Sequence, residues 1–327
     1  MKSLLSSICL IGVFSASTIS AEEITVGYFL EWPTPNQFAQ TKKIYDKELG
    51  VDIKWVSFDA GTAMSAAMAS GDVQISFSQG IPPFVIATSA GQDLQIVDVA
   101  VSYSDNVNCV VRTSLEISKE NAKELEGKQA GVPIGTAAHY GFLKQMEHLG
   151  VDTSTMKIVD MAPADGAAAF ATGNLDMVCG WGGALTRMKQ HGNILMTGAE
   201  KEQLGIQVFD ATTVATQWAQ ENPELLAKFL KVTADMNTRY AANEAEKMLP
   251  VIARTAGMDE DNTRETMAGF SFPDIKQQLS KKWLGGGTQK FLKQVADFFV
   301  SQGTIPEARD SYDSAVDSSY LKAATKM

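Results

Sequence analysis

Trp181 stands among glycines, in Gly180-Trp181-Gly182-Gly183, directly after an apolar run that reads as a strand. In open α/β folds ligands bind beyond the carboxyl ends of strands. A Trp with so little local packing is therefore a candidate wall for an alkyl chain or, through its ring face, an ammonium group; core filling is the competing reading. Trp32, in Glu31-Trp32-Pro33, holds the corresponding place after the first strand. Thr136-Ala137-Ala138-His139-Tyr140 follows another strand and opens a helix. The first N–H groups of a helix lack partners and the dipole is positive there, so a small anion can dock without Lys or Arg. Ala137 and Ala138 leave that backbone accessible. Thr136 reads equally as a plain helix cap, and the two roles are compatible. His139 either lines the seat or covers the helix end. Asp210 is an acid within the apolar run Val208-Phe209-Asp210-Ala211-Thr212. Buried, it needs a partner, which a ligand ammonium or a distant Lys or Arg would supply. Glu31, on a loop, is the second candidate acid. An anion seat, an aromatic wall and a carboxylate are what a small zwitterion requires.

Signatures of reaction chemistry do not accompany these residues. The sequence has no G-x-S-x-G, phosphate loop or G-x-G-x-x-G. Gly285-Gly286-Gly287 precedes a helix, but no strand leads into it, so it reads as a helix–helix loop. The three histidines (His139, His148, His191) are scattered, and neither CxxC nor HExxH occurs. The expectation is a binding protein with no metal and no cofactor, not an enzyme.

A thirteen-residue pattern used twice must position the site. Ser65 to Phe77, around Ala69-Ser70-Gly71-Asp72-Val73-Gln74-Ile75, returns 102 positions later as Ala167 to Cys179, around Ala171-Thr172-Gly173-Asn174-Leu175-Asp176-Met177. Each copy reads as the end of a small-residue helix, a Gly where the chain leaves right-handed space, and a short apolar strand. Each strand runs into an uncharged break, Gln79-Gly80-Ile81-Pro82-Pro83 or Gly180-Trp181-Gly182-Gly183. Such a wide separation predicts two related lobes with a cleft between them, since stacked repeats have shorter periods. Strands are expected at 24–29, 52–58, 72–78, 94–101, 107–112, 129–134, 156–161, 174–179 and 206–213. Between them lie helices at 36–49, 61–70, 84–90, 117–125, 137–149, 164–172 and 183–190, with a turn at Pro82-Pro83. This alternation implies parallel pairing. From Asn222-Pro223 onward the pattern is helical, Leu225, Leu226, Phe229, Leu230, Thr233 and Met236 sharing one face.

The 327 residues suffice for two domains. Residues 1–21 read as a cleaved signal peptide: Met1-Lys2, the apolar stretch Leu4 to Phe14, and a small-residue site ending at Ala21. Residues 22–107 with 208–327 form the expected first lobe, and 108–207 the second, joined by crossing segments near 105–110 and 205–212. The formal charge is −10, and basic residues cluster no further than pairs such as Lys42-Lys43, so nucleic acid is not an expected partner. After cleavage two cysteines remain, Cys109 and Cys179, in apolar runs. Export permits a bridge, and burial as two small side chains is the favoured alternative.

The signal peptide, Ala69 to Ile75, Val132-Pro133 with Thr136 to Tyr140, and the Trp181 segment together resemble the taurine and aliphatic-sulfonate binding proteins of bacterial ABC importers, in segment order from about residue 24 to 310. The resemblance implies a monomeric, type II periplasmic binding protein, two mixed-sheet lobes flanked by helices and closing on a ligand for delivery to an inner-membrane permease. By that resemblance a sulfonate would sit at the backbone of 136–138 and near Gln79-Gly80. Trp181 would pack on the ethylene chain and Asp210 would pair with the ammonium. Where such proteins carry an acid before the second lobe's first strand, this chain has Val107-Asn108, and Asp105 or Glu31 would substitute. Nitrate and pyrimidine-precursor binders share the Gly71-Asp72-Val73-Gln74-Ile75 piece, so a binder of alkanesulfonate, nitrate, a pyrimidine precursor or another small amine zwitterion is the alternative. An enzyme of the same fold is the second, against which the signal peptide and the lone Cys179 count.

Overall fold

In the computed structural model, which describes residues 23–103 and 105–327, the chain forms two sheets. The signal-peptide segment 1–21 lies outside the described residues. In chain order the strands are β1 (Glu23–Phe29), β2 (Asp52–Phe58), β3 (Ile75–Gly80), β4 (Leu94–Tyr103), β5 (Val107–Arg112), β6 (Gln129–Val132), β7 (Lys157–Asp160), β8 (Met177–Trp181), β9 (Gly192–Ile194), β10 (Phe209–Ala215) and β11 (Phe270–Ser271). The first lobe's sheet has the order β11-β4-β10-β3-β1-β2 and the second's β7-β6-β8-β5-β9.

The repeated pattern builds the same unit in each lobe. Helix Gly61–Ala69 leads through Gly71 (φ 81°) into β3, and helix Pro163–Ala171 leads through Gly173 (φ 88°) into β8. Both turns are closed alike: Asp72 N–H donates to Ala67 O and Asn174 N–H to Ala169 O, each at 3.0 Å. Only a residue tolerant of positive φ joins a helix to a strand so tightly, which is why both copies carry Gly.

Pairing is mixed, not parallel throughout. β1 pairs in parallel with β2 and β3, but β10 returns from the second lobe and inserts antiparallel between β3 and β4. Likewise β6 is parallel to β7 and β8, whereas β5 runs antiparallel to β8 and β9. A strand that enters from the other lobe arrives at the opposite end of the sheet, so its direction is reversed.

Three local expectations change. Pro82 and Pro83 do not form a turn; they occupy the opening of helix Ile81–Ser89, where a missing N–H costs nothing. The helix expected over 36–49 breaks at Lys43 (φ 52°) into Asn36–Thr41 and Ile44–Leu49, and in the second piece Tyr45 stacks on Phe229 with centroids 4.7 Å apart. Over 117–125 only Ala122–Leu125 is helical, as a 3-10 turn.

Cys109 and Cys179 form a disulfide across β5 and β8, 70 residues apart in sequence, so the favoured reading of two independent buried side chains is replaced. They are directly opposed in the strand register, a relationship that neither apolar run reveals alone. The first lobe's main core packs the helices of residues 223–256 and 287–301 against its sheet, with Phe229, Leu230, Leu292 and Phe299 fully buried. A second core crosses the cleft. It joins Phe29, Trp32, Met64 and Tyr103 of the first lobe to Val107, Val132 and Ala138 of the second, so the lobes are in contact.

Candidate functional site

Strand ends from both lobes line a narrow cavity of about 30 Å³. From the first lobe come Phe29 at the end of β1, Trp32 on the following loop, Gly80 at the end of β3, Tyr103 at the end of β4 and Asp210 at the start of β10. From the second come Val107 at the start of β5, Thr136 and Ala137 at the opening of helix Ala137–Leu149, and Trp181 at the end of β8. Gly61 and Pro83 complete it.

Asp210 is the one ionisable acid in this lining. It is buried, Tyr103 Oη donates to its Oδ1 at 2.8 Å, and Ser78 Oγ donates to its Oδ2 at 2.9 Å. Burial pushes its pKa up to about 6, against the pull of these two hydrogen bonds, and no cationic side chain is among the groups that shift it. The Tyr103 phenol is driven well above its usual range by burial and by the Asp210 charge, so it stays a donor. A desolvated carboxylate held by two neutral donors is a seat for a positive charge.

The opposite sign is provided by backbone. Thr136 caps helix Ala137–Leu149, its Oγ accepting from His139 N–H at 3.4 Å and donating to Pro133 O at 2.6 Å. Ala137 and Ala138 contribute the first two N–H groups, which have no intrahelical acceptor. The two poles are close. A Cβ built on Gly80 would lie 3.5 Å from both the Ala137 Cβ and Asp210 Oδ1, so the space left by the absent Gly80 side chain borders both the helix opening and the acid. Aromatic rings make up much of the rest: Trp32 meets Tyr103 edge-on at 5.0 Å, and Trp181 tilts against Phe29 at 6.0 Å.

Of the sequence candidates, Trp32, Gly80, Thr136, Ala137, Trp181 and Asp210 are brought to the cavity, and five are not among its lining residues. The Gln79 amide is engaged inside the first lobe, with Nε2 donating to Gly61 O at 2.8 Å and Oε1 accepting from Thr213 at 3.2 Å. Asn108 donates to Met196 O at 2.9 Å. Ala138 presents its backbone at the helix opening, but its side chain packs into the core that crosses the cleft. The His139 ring lies parallel to Phe299, accepts from Gly135 N–H through Nδ1, and is held below its usual pKa by burial, which is the helix-covering role.

Glu31 is an interlobe tie. It forms a two-pronged ion pair with Arg187 of helix Gly182–Lys189, at 2.7 and 3.1 Å, and its carbonyl accepts from Gly183 N–H at 3.1 Å. Gly182 (φ 53°) makes this approach possible, because a Cβ there would lie 2.0 Å from the Glu31 carbonyl oxygen.

Sequence reasoning missed Phe29, Gly61, Pro83, Tyr103 and Val107. The strand-end rule that found Trp181 also marks Phe29 and Tyr103, but β4 runs to Tyr103, two residues past its expected end. The disulfide sits just behind the lining: β5 and β8 pair Cys109 with Cys179, and two positions on, Val107 with Trp181.

The NMT1/THI5-like family model matches residues 34–247. The chain is 27% identical over 314 residues to the taurine-binding periplasmic protein of Escherichia coli K12, covering 94% of this chain and 96% of that protein. Among solved structures it resembles the alkanesulfonate-binding protein SsuA of Xanthomonas axonopodis pv. citri bound to MOPS (TM-score 0.71, 18% identity, 87% and 94% of the two chains). It also resembles the periplasmic aliphatic sulphonate binding protein SsuA of Escherichia coli (TM-score 0.70, 20% identity, 89% and 91%). These likenesses establish the two-lobe fold of periplasmic binding proteins.

Proposed function

From the premise that this chain belongs to the NMT1/THI5-like family, we propose that it is the periplasmic receptor of an ABC importer for small sulfonates, with taurine as the preferred ligand. The carrying observation is Asp210, a buried carboxylate without a cationic neighbour among the described residues, beside the opening of helix Ala137–Leu149. In this reading the sulfonate accepts hydrogen bonds from the backbone N–H groups of Thr136, Ala137 and Ala138, favoured by the helix dipole. The ammonium faces Asp210, forming charge-assisted hydrogen bonds. Trp181, Trp32 and Phe29 cover the ethylene chain.

Binding and delivery follow from lobe movement, with no covalent step. The segments near 105–106 and 195–208, where the chain crosses between sheets, would serve as hinges. A ligand held at one end by Asp210 of the first lobe and at the other by Thr136 and Ala137 of the second bridges the lobes, so it binds the closed form preferentially and shifts population toward it. The closed monomer would then be the form presented to an inner-membrane permease.

Asp210 also supports a second reading. Each of its oxygens already accepts a hydrogen bond, and a proton-bearing Asp210 would tolerate an uncharged ligand end, as in an alkanesulfonate. Calorimetric titration of the signal-less protein, unfolded and refolded to remove carried-over ligand, with taurine, ethanesulfonate and nitrate separates the two. Tight taurine and weak ethanesulfonate binding is expected. Equal affinities would transfer the protein to the alkanesulfonate reading, and silence from all three would remove the sulfonate assignment.

A further inference from the structure

Outside the ligand cavity lies a second compartment, a groove of about 180 Å³. It too is built from both lobes, by Leu30, Phe58 and Asp59 on one side and Pro163 and Ala184 on the other. Phe29 and Trp181 line both spaces. Their ring centroids are 6.0 Å apart at an interplanar angle of 52°. Phe29 ends β1 and Trp181 ends β8, so this partition takes one ring from each lobe and is complete only when the lobes are together.

We propose that the Phe29–Trp181 pair is the size gate of the ligand site. It confines the bound molecule to the inner cavity and denies entry to one carrying a bulky substituent, which the outer groove would hold if a ring were cut back. Asp210 and the helix opening at Thr136 do not contribute to the groove, whose own charged groups are Glu31 and Asp59, so opening the gate enlarges the space beyond the two rings while leaving the inner charge-reading groups in place. Two tilted rings in contact suit such a gate. They exclude water when closed, and they separate without breaking a hydrogen bond when the lobes part.

The choice of probe rests on the sulfonate reading, while the partition itself does not. Wild type and Phe29→Ala are titrated with taurine and with 3-(N-morpholino)propanesulfonate. Wild type is expected to favour taurine strongly, and Phe29→Ala to shift the ratio of affinities at least tenfold toward the morpholino compound. An unchanged ratio, or wild type binding both equally, overturns the gate. Phe29→Leu, a smaller perturbation of a buried position, replaces the alanine variant if that fails to fold, with a shift of about threefold expected. Wild type binding neither sulfonate would sink the ligand reading alone. The gate is then decided by maleimide labelling of Ala137→Cys in the inner cavity: labelling at least tenfold faster with Phe29→Leu supports it, and equal rates overturn it.

Discussion

Glu31 and Arg187 face each other across the interlobe cleft, their carboxylate and guanidinium joined by two hydrogen bonds of 2.7 and 3.1 Å. One belongs to the loop after β1, the other to the helix after β8, so the pair exists only with the lobes together. It is partly exposed, which limits its contribution to about 0.2–1 kcal/mol. Arg187→Ala is therefore expected to weaken ligand binding by up to about fivefold, with the loss shrinking at high salt. Calorimetry of Glu31→Arg paired with Arg187→Glu should recover part of it; no recovery would mean that the contact does not help closure.

Gly182→Ala is expected to do more damage to closure than loss of that ion pair. The added Cβ would stand 2.0 Å from the Glu31 carbonyl oxygen at a φ of 53°, a contact relieved only by parting the lobes. Small-angle scattering with saturating ligand should show wild type compact and the variant expanded. A variant as compact as wild type would show that the corner relaxes locally.

Asp210→Asn keeps the shape and removes the charge. Truncating one partner of a buried charge pair costs about 2–5 kcal/mol, so taurine affinity should fall on the order of 100-fold, while ethanesulfonate affinity stays within a few fold. A parallel loss for both ligands would place Asp210 in a structural role.

The same acid sets opposite pH dependences for stability and binding. Burial raises the pKa of Asp210 to about 6, so the folded protein takes up a proton that the unfolded chain releases near 4. Its contribution to stability is full below about pH 4 and is lost as pH rises through 6. Asp210→Asn should thus match wild type near pH 4 and exceed it above pH 7, by up to about 3 kcal/mol. Comparison of the pair cancels His139, whose depressed pKa works in the other direction. Asp98 is raised to about 6 by the same cause and gives an independent control, since it bonds Thr212 and does not line the cavity. Taurine affinity, which needs the carboxylate, should fall as pH drops below 6. Denaturant melts and titrations at pH 4.5 and 7.5 read both, and slopes of the same sign would exclude Asp210 as the ammonium partner.

Cutting the Cys109–Cys179 bridge by paired substitution to Ala should destabilise the protein by about 4 kcal/mol, the loop-closure entropy of a 70-residue loop. Because the bridge lies two residues behind Val107 and Trp181 in register, ligand affinity should drop as well. Thermal melts with and without reductant measure the first effect; unchanged ligand affinity in the reduced protein would separate the bridge from the site.

Features that depend on near neighbours in the chain were legible in the sequence. The helix–Gly–strand pattern at Gly71 and Gly173, the Thr136 cap and the strands that end at Gly80 and Trp181 each follow from hydrogen bonds and side-chain periodicity within a dozen residues. The twofold use of that pattern carried the two-lobe architecture with it. What turns on register or on a distant partner was decided only by the tertiary structure. Cys109 meets Cys179, and Tyr103 meets Asp210 over 107 positions, because strands β5, β8, β4 and β10 align as they do. Gln79 and His139 stand at expected places in the chain, yet Thr213 and Phe299 turn their side chains to other work. Glu31, read as a possible ligand acid, found Arg187 instead. Local pattern fixes where a backbone turns, whereas a side chain's direction is set by whichever distant group satisfies it at lowest free energy, and that group is known only once the chain has packed.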